Sequence, residues 1–137
     1  MDDVEIVVLS TIADSVEGPA SERPTLHIAC RNGERSVALR LGVPWHVPSE
    51  AFVDQARVQL RFDTRPTFDD GWSVSNDGGT AAALDGDRVL TDVWRSNRLW
   101  AQTTDANGRT VRARFALPGL HAFRDALAVP PCGWRGT

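Results

Sequence analysis

The stretch Thr25–Leu41, TLHIACRNGERSVALRL, limits what this 137-residue chain can fold into more than any other. Before Asn32-Gly33, Leu26, Ile28 and Cys30 alternate with His27, Ala29 and Arg31. After it, Val37, Leu39 and Leu41 alternate with Ser36, Ala38 and Arg40. An Asn-Gly pair tolerates positive φ at both centres of a type I′ turn, so two period-2 runs around it predict a β-hairpin. One face of the hairpin is apolar and carries Cys30; the other carries arginines.

The rest of the chain extends this pattern. Val4–Thr11 is β-branched and apolar and reads as a buried strand. Ala13–Pro24, broken by Gly18-Pro19 and Pro24, reads as a surface loop. Gly42–Gln55 is a long connection holding Pro44, Trp45, His46 and Pro48, with a short helical turn expected to open at Ser49. Ala56–Phe62 alternates again, Asp63–Gly71 reads as a loop, and Trp72–Ser75 turns at Asn76–Gly79 into Thr80–Leu84. Val89, Leu90, Val93 and Trp94 recur at helical spacing within Gly86–Ser96, with Asp85 or Asp87 as cap. A second hairpin joins Leu99–Thr103 to Thr110–Leu117 around Asp105–Gly108. Leu120, Phe123, Ala126 and Leu127 then predict a last short helix before Pro130-Pro131. The expected fold is a single domain over residues 1–137. It is of the α+β class: a mostly antiparallel β-sheet folded as a sandwich or half-barrel, with two short helices.

Composition narrows the function classes. Net charge −3 argues against a nucleic-acid partner, because no overall basic field exists to drive counterion release. All 15 basic residues are arginine. A GC-rich coding sequence accounts for that, and a surface suited to bidentate carboxylate or phosphate contacts is the alternative. No apolar run approaches a membrane span, and Asp2-Asp3 after Met1 is the opposite of a basic signal-peptide start. The chain is therefore expected to be cytoplasmic, or else periplasmic or secreted with an export signal already removed.

Residues that carry chemistry are few. Cys30 and Cys132 form either one disulfide or two unrelated thiols; a bridge would close a long loop and contribute about 4–5 kcal/mol on the chain-entropy model. His27, His46 and His121 have no partner at ligand spacing, and no nucleophile elbow, phosphate loop or zinc pattern is present, so no metal or cofactor is expected. Asp63, Asp69 and Asp70 fall in one segment that could ligate Ca²⁺ or supply paired carboxylates, although solvated turn residues account for them more simply. Arg31, Arg40, Arg57, Arg61, Arg112 and Arg114 all alternate out of apolar faces. If their strands are neighbours they form a basic stripe for an anionic partner; a solvated face paired with acids is the simpler reading. Trp72, Trp94 and Trp134 suit packing, whereas Trp45, in its Pro-rich loop, is a candidate for recognition. Arg40, Arg61, Arg112, Arg114 and Trp45 are thus the expected partner-binding residues, and no catalytic residue is assigned.

Several short motifs occur in a familiar order. They are Met1-Asp2-Asp3 with Val7-Val8-Leu9-Ser10, Leu26-His27-Ile28-Ala29-Cys30, and Val58–Asp63 followed by Trp72-Ser73-Val74-Ser75. Phe115 through Gly119-Leu120 and a terminal Cys132-Gly133-Trp134 complete the set. In this order the chain resembles the TagO/VasI family, accessory proteins associated with bacterial type VI secretion and also found in phage or prophage settings. The resemblance implies a Cys30–Cys132 bridge, a periplasmic or secreted setting, and a non-enzymatic domain that binds a protein of the secretion system or envelope. It supplies no catalytic residue. The second reading is a phage- or envelope-related hydrolase, or an inhibitor of one.

Overall fold

The hairpin predicted around Asn32-Gly33 is the start of a long sheet. Strands β3 (Thr25–Arg31) and β4 (Glu34–Arg40) pair antiparallel, with Arg31 opposite Glu34 and Cys30 opposite Arg35. Asn32 and Gly33 have φ of 52° and 79°, the two positive values that a type I′ turn needs. This computed structural model describes residues 6–47, 55–105, 107–130 and 132–134; the helical turn expected at Ser49 lies outside them.

Seven further strands join the hairpin: β1 (Ile6–Ile12), β2 (Ser15–Glu17), β5 (Gln55–Phe62), β6 (Phe68–Val74), β7 (Ala81–Ala83), β8 (Arg98–Thr104) and β9 (Thr110–Ala116). Their order across the sheet is β1-β3-β4-β7-β6-β5-β8-β9-β2, with every pair antiparallel. The outermost strands, β1 and β2, are consecutive in the chain, so the sheet curls into a half-barrel whose edges one bent segment brings together. Ala13 and Asp14 make the bend. The Ala13 N–H donates to the Pro24 carbonyl at 2.8 Å, and the Asp14 N–H donates to the Arg114 carbonyl at 2.9 Å.

Alternation decides which side chains fill the interior. Leu26, Ile28, Val37, Leu39, Val58, Leu60, Leu99, Val111 and Phe115 have no measurable exposure, and Trp72 lies among them. Burying one such side chain contributes about 1.5–3 kcal/mol. Among the described residues, three helices complete the fold: α1 (Gly86–Trp94), α2 (Pro118–His121) and α3 (Arg124–Ala128). Asp85 caps α1, its carboxylate accepting from the Arg88 N–H at 3.2 Å, and α1 buries Val89, Leu90, Val93 and Trp94 against the sheet. Gly86 allows the close approach: a Cβ there would stand 2.6 Å from the Arg35 carbonyl oxygen.

The α+β half-barrel agrees with the sequence reading; four local features differ. The last helix is two pieces, because each follows its own attachment. In α2, Leu120 is buried and the His121 ring bonds the Val93 carbonyl at 3.0 Å, while the Leu127 carbonyl of α3 accepts from the Trp134 N–H at 2.7 Å. Strand β1 is at the edge rather than deeply buried, with Leu9 inside and Ile6, Val8 and Ile12 exposed. The expected loop at 13–24 contains β2, and β6 begins at Phe68, inside the expected loop at 63–71.

Candidate functional site

Cys30 and Cys132 are bridged, across a sequence separation of 102, and both are fully buried. The bridge fixes the end of the chain to β3. Arg35, opposite Cys30 on β4, reinforces it. Its Nε and Nη2 donate to the two carboxylate oxygens of Asp87 on α1 at 2.8 and 2.9 Å, and its Nη1 donates to the Cys132 carbonyl at 2.8 Å. A planar guanidinium makes these bonds from three separate nitrogens; an ammonium, with its donors on one nitrogen, cannot reproduce the bidentate fork. The pair shifts both groups: the Arg35 hydrogen bond lowers the Asp87 pKa, and Asp87 raises that of Arg35. Nothing in the sequence distinguished Arg35 from the other polar residues near the turn.

The arginines divide between two parts of the sheet. Arg40 is on β4, 3.7 Å from Glu22. Arg61, Arg112 and Arg114 come together on the outer face of β5, β8 and β9, around a tryptophan that the sequence reading left without a role. Trp100 lies directly opposite Arg61 on one side and Arg114 on the other. The Arg112 guanidinium is 4.5 Å from the Trp100 ring centroid and that of Arg114 is 5.6 Å away. Cation–π contacts of this kind are worth about 0.5–1 kcal/mol each at exposed positions. The signal for Trp100 was present: Leu99, Ala101 and Thr103 point inward, so period 2 sends Trp100 outward beside Gln102.

The three arginines are not equivalent. Arg114 Nε bonds the Asp14 carboxylate at 3.0 Å across the seam between β9 and the β1–β2 bend, and that bond is the main cause of a lowered Asp14 pKa. Among the described residues, Arg61 and Arg112 have no carboxylate within ion-pair distance, although Glu17 faces Arg112 in the β2–β9 ladder. Their guanidinium N–H groups therefore keep donors that no described carboxylate takes up.

Trp45 is corrected by the structure. It is only 5% exposed and packs in the hydrophobic core, so its indole is not available to a partner as the sequence reading expected. The acidic segment also comes apart. Asp63 accepts from the Asn97 and Arg98 N–H groups at 2.9 and 3.0 Å, and Asp70 accepts from the Trp72 indole and from Arg88. Asp69 approaches Arg57 at 3.9 Å. Two of the three carboxylates thus hold the fold, and the histidines are equally dispersed. His27 bridges Ser10 and Thr25 through its two ring nitrogens at 2.7 and 2.8 Å, while His121 bonds α1. Among the described residues, no three His, Cys, Asp or Glu side chains are placed to hold a metal ion, and no helix is long and apolar enough to cross a membrane. Compared with family models, curated proteins and solved structures, the chain finds no match in any of the three.

Proposed function

We propose that this protein is a non-enzymatic binding domain, an accessory protein of the TagO/VasI kind, that engages an acidic segment of a protein partner in the cell envelope or a secretion system. The observation that carries the proposal is the cluster of Arg61 and Arg112 around Trp100. It combines an aromatic platform with guanidinium groups whose hydrogen-bond donors remain available, the residue types enriched where binding energy concentrates. Stacking on Trp100 reduces the rotamer freedom that Arg112 would otherwise lose on binding. Carboxylates suit the site, because each guanidinium can meet one through two parallel N–H bonds. The buried Cys30–Cys132 bridge supports an oxidising compartment, since such bonds persist outside the reducing cytosol. The motif order shared with TagO/VasI proteins supports the same setting.

A polyglutamate peptide is a direct probe. Binding measured by calorimetry should weaken steeply with added salt, as expected for exposed charges. Arg61→Glu/Arg112→Glu should abolish it while Arg40→Glu leaves it largely intact. Salt-insensitive binding, or equal losses in both variants, would defeat the proposal.

A further inference from the structure

Strands β5 and β8 part company at one end of the outer face. Their ladder runs from Phe62 opposite Leu99 to Gln59 opposite Gln102 and stops there, although β5 reaches back to Gln55 and β8 continues to Thr104. Just beyond the last pair, the Thr103 hydroxyl donates to the Arg57 carbonyl at 3.0 Å, so a side chain replaces the next main-chain rung. The splay opens a cleft of about 340 Å³ lined by His46, Arg57, Gln59, Asp69, Gln102 and Thr104, with Thr103 beside them. That volume lies within the span of small-molecule sites, about 300–1,000 Å³.

The described lining residues are all polar or charged, but their carbon atoms supply about half of the lining surface, and this mixed wall restricts what the cleft can hold. Gln102 Nε2 donates to Gln59 Oε1 at 3.0 Å. This leaves two N–H donors on Gln59, and one N–H and the carbonyl oxygen on Gln102. Arg57 and Asp69 reach only 3.9 Å from one another, and their side chains are 77% and 53% exposed. Such a loose surface pair holds together weakly and a ligand can divide it. Among the described residues, the cleft therefore offers both donors and acceptors, and the charges of Arg57 and Asp69 cancel. A wholly apolar ligand would leave the amide and charged groups unpaired, and a compact anion drawn to Arg57 would also meet the Asp69 carboxylate.

We propose that this cleft binds a neutral polyhydroxylated ligand, a mono- or disaccharide. Vicinal hydroxyls, each both donor and acceptor, would bridge the Gln59–Gln102 amide pair to the Arg57–Asp69 pair. The site does not depend on the acidic-partner reading, because Arg61, Trp100 and Arg112 are not among its lining residues, although Gln102 lies opposite Arg112.

The test is an NMR titration of the intact chain with glucose, N-acetylglucosamine and maltose, with sodium acetate as the anionic comparison. At least one sugar should shift the side-chain amides of Gln59 and Gln102 and the backbone amide of Thr104, with an affinity in the range of about 1 mM. Added salt should leave that affinity unchanged, since no net charge is neutralised. Gln59→Ala should weaken binding about tenfold, the scale of losing one or two hydrogen bonds. The exposed Arg57→Ala should do likewise without disturbing the fold, while Arg40→Ala, on β4 and outside the cleft, leaves it within about twofold. The proposal is overturned if no sugar moves these signals, if the shifts map elsewhere, or if acetate occupies the cleft in preference to the sugars. Loss of polyglutamate binding with sugar binding intact would count against the arginine cluster alone.

Discussion

Two regions of this half-barrel use the same residue type, arginine, in opposite ways. At the hairpin end, Arg35 is 18% exposed and spends its guanidinium on Asp87 and the Cys132 carbonyl, beside a buried disulfide. On the outer face, Arg61 and Arg112 are half-buried around Trp100, and among the described residues neither reaches a carboxylate. The first arrangement satisfies its donors inside the molecule; the second leaves them for something outside it. Position in the sheet, not residue identity, separates an arginine whose donors are satisfied within the fold from one whose donors are not.

The largest expected effect belongs to the hairpin end. Cys30→Ser should destabilise the protein by about 4–5 kcal/mol on the chain-entropy model, a long loop being released. The damage should start locally. Hydrogen exchange should accelerate first at Leu120–Leu127, before the β3–β4 hairpin responds; uniform acceleration would mean that the bridge does not hold the C-terminal helices to the sheet. Arg35→Ala comes next, at about 1–3 kcal/mol, since it strands the Cys132 carbonyl and removes the bidentate pair. The exposure of Asp87, 55%, keeps the ion-pair share of that loss small. Arg35→Lys should recover only part of it, as read from urea midpoints.

Acid should discriminate within the same comparison. Burial, with Arg40 as a lesser cause, holds the His27 pKa below its ordinary value, so the folded chain keeps that ring neutral. The unfolded chain takes up the proton first as pH falls below about 6.5, and stability declines there. Because His27 links Ser10 on β1 to Thr25, the effect should appear at β1, and His27→Gln should remove it. The lowered Asp14 and Asp87 act later: their contribution is complete above the ordinary carboxylate range and is lost as pH drops through it. The smallest stability effect is expected on the outer face. Arg112→Ala should change stability by no more than about 1 kcal/mol, the scale of one exposed cation–π contact, while weakening polyglutamate binding.

Much of the fold was legible because alternation over seven-residue strands specifies which face is buried, and Asn32-Gly33 specified one turn almost alone. Pairing between distant strands was not. No local pattern says that β5 lies between β6 and β8, or that β1 and β2 take opposite edges of the sheet. The β1 residues are as apolar as a central strand, so their exposure depends on that order and not on composition. The site divides in the same way. Arg61, Arg112 and Arg114 were visible as outward residues, but only the register brings them to Trp100. Trp45 shows the converse error: a proline-rich loop suggested exposure, and tertiary packing buried the ring. Arg35 and the Thr103 hydroxyl gain their roles from long-range partners that no spacing encodes.

The claim that recognition resides on the outer face is tested most directly by following the Trp100 indole N–H while polyglutamate is added. The account predicts that this resonance and the Arg61 and Arg112 guanidinium signals shift together, and return to their starting positions when salt is raised. Shifts spread evenly over the exposed arginines, or centred on Arg40 with Trp100 unmoved, would contradict it.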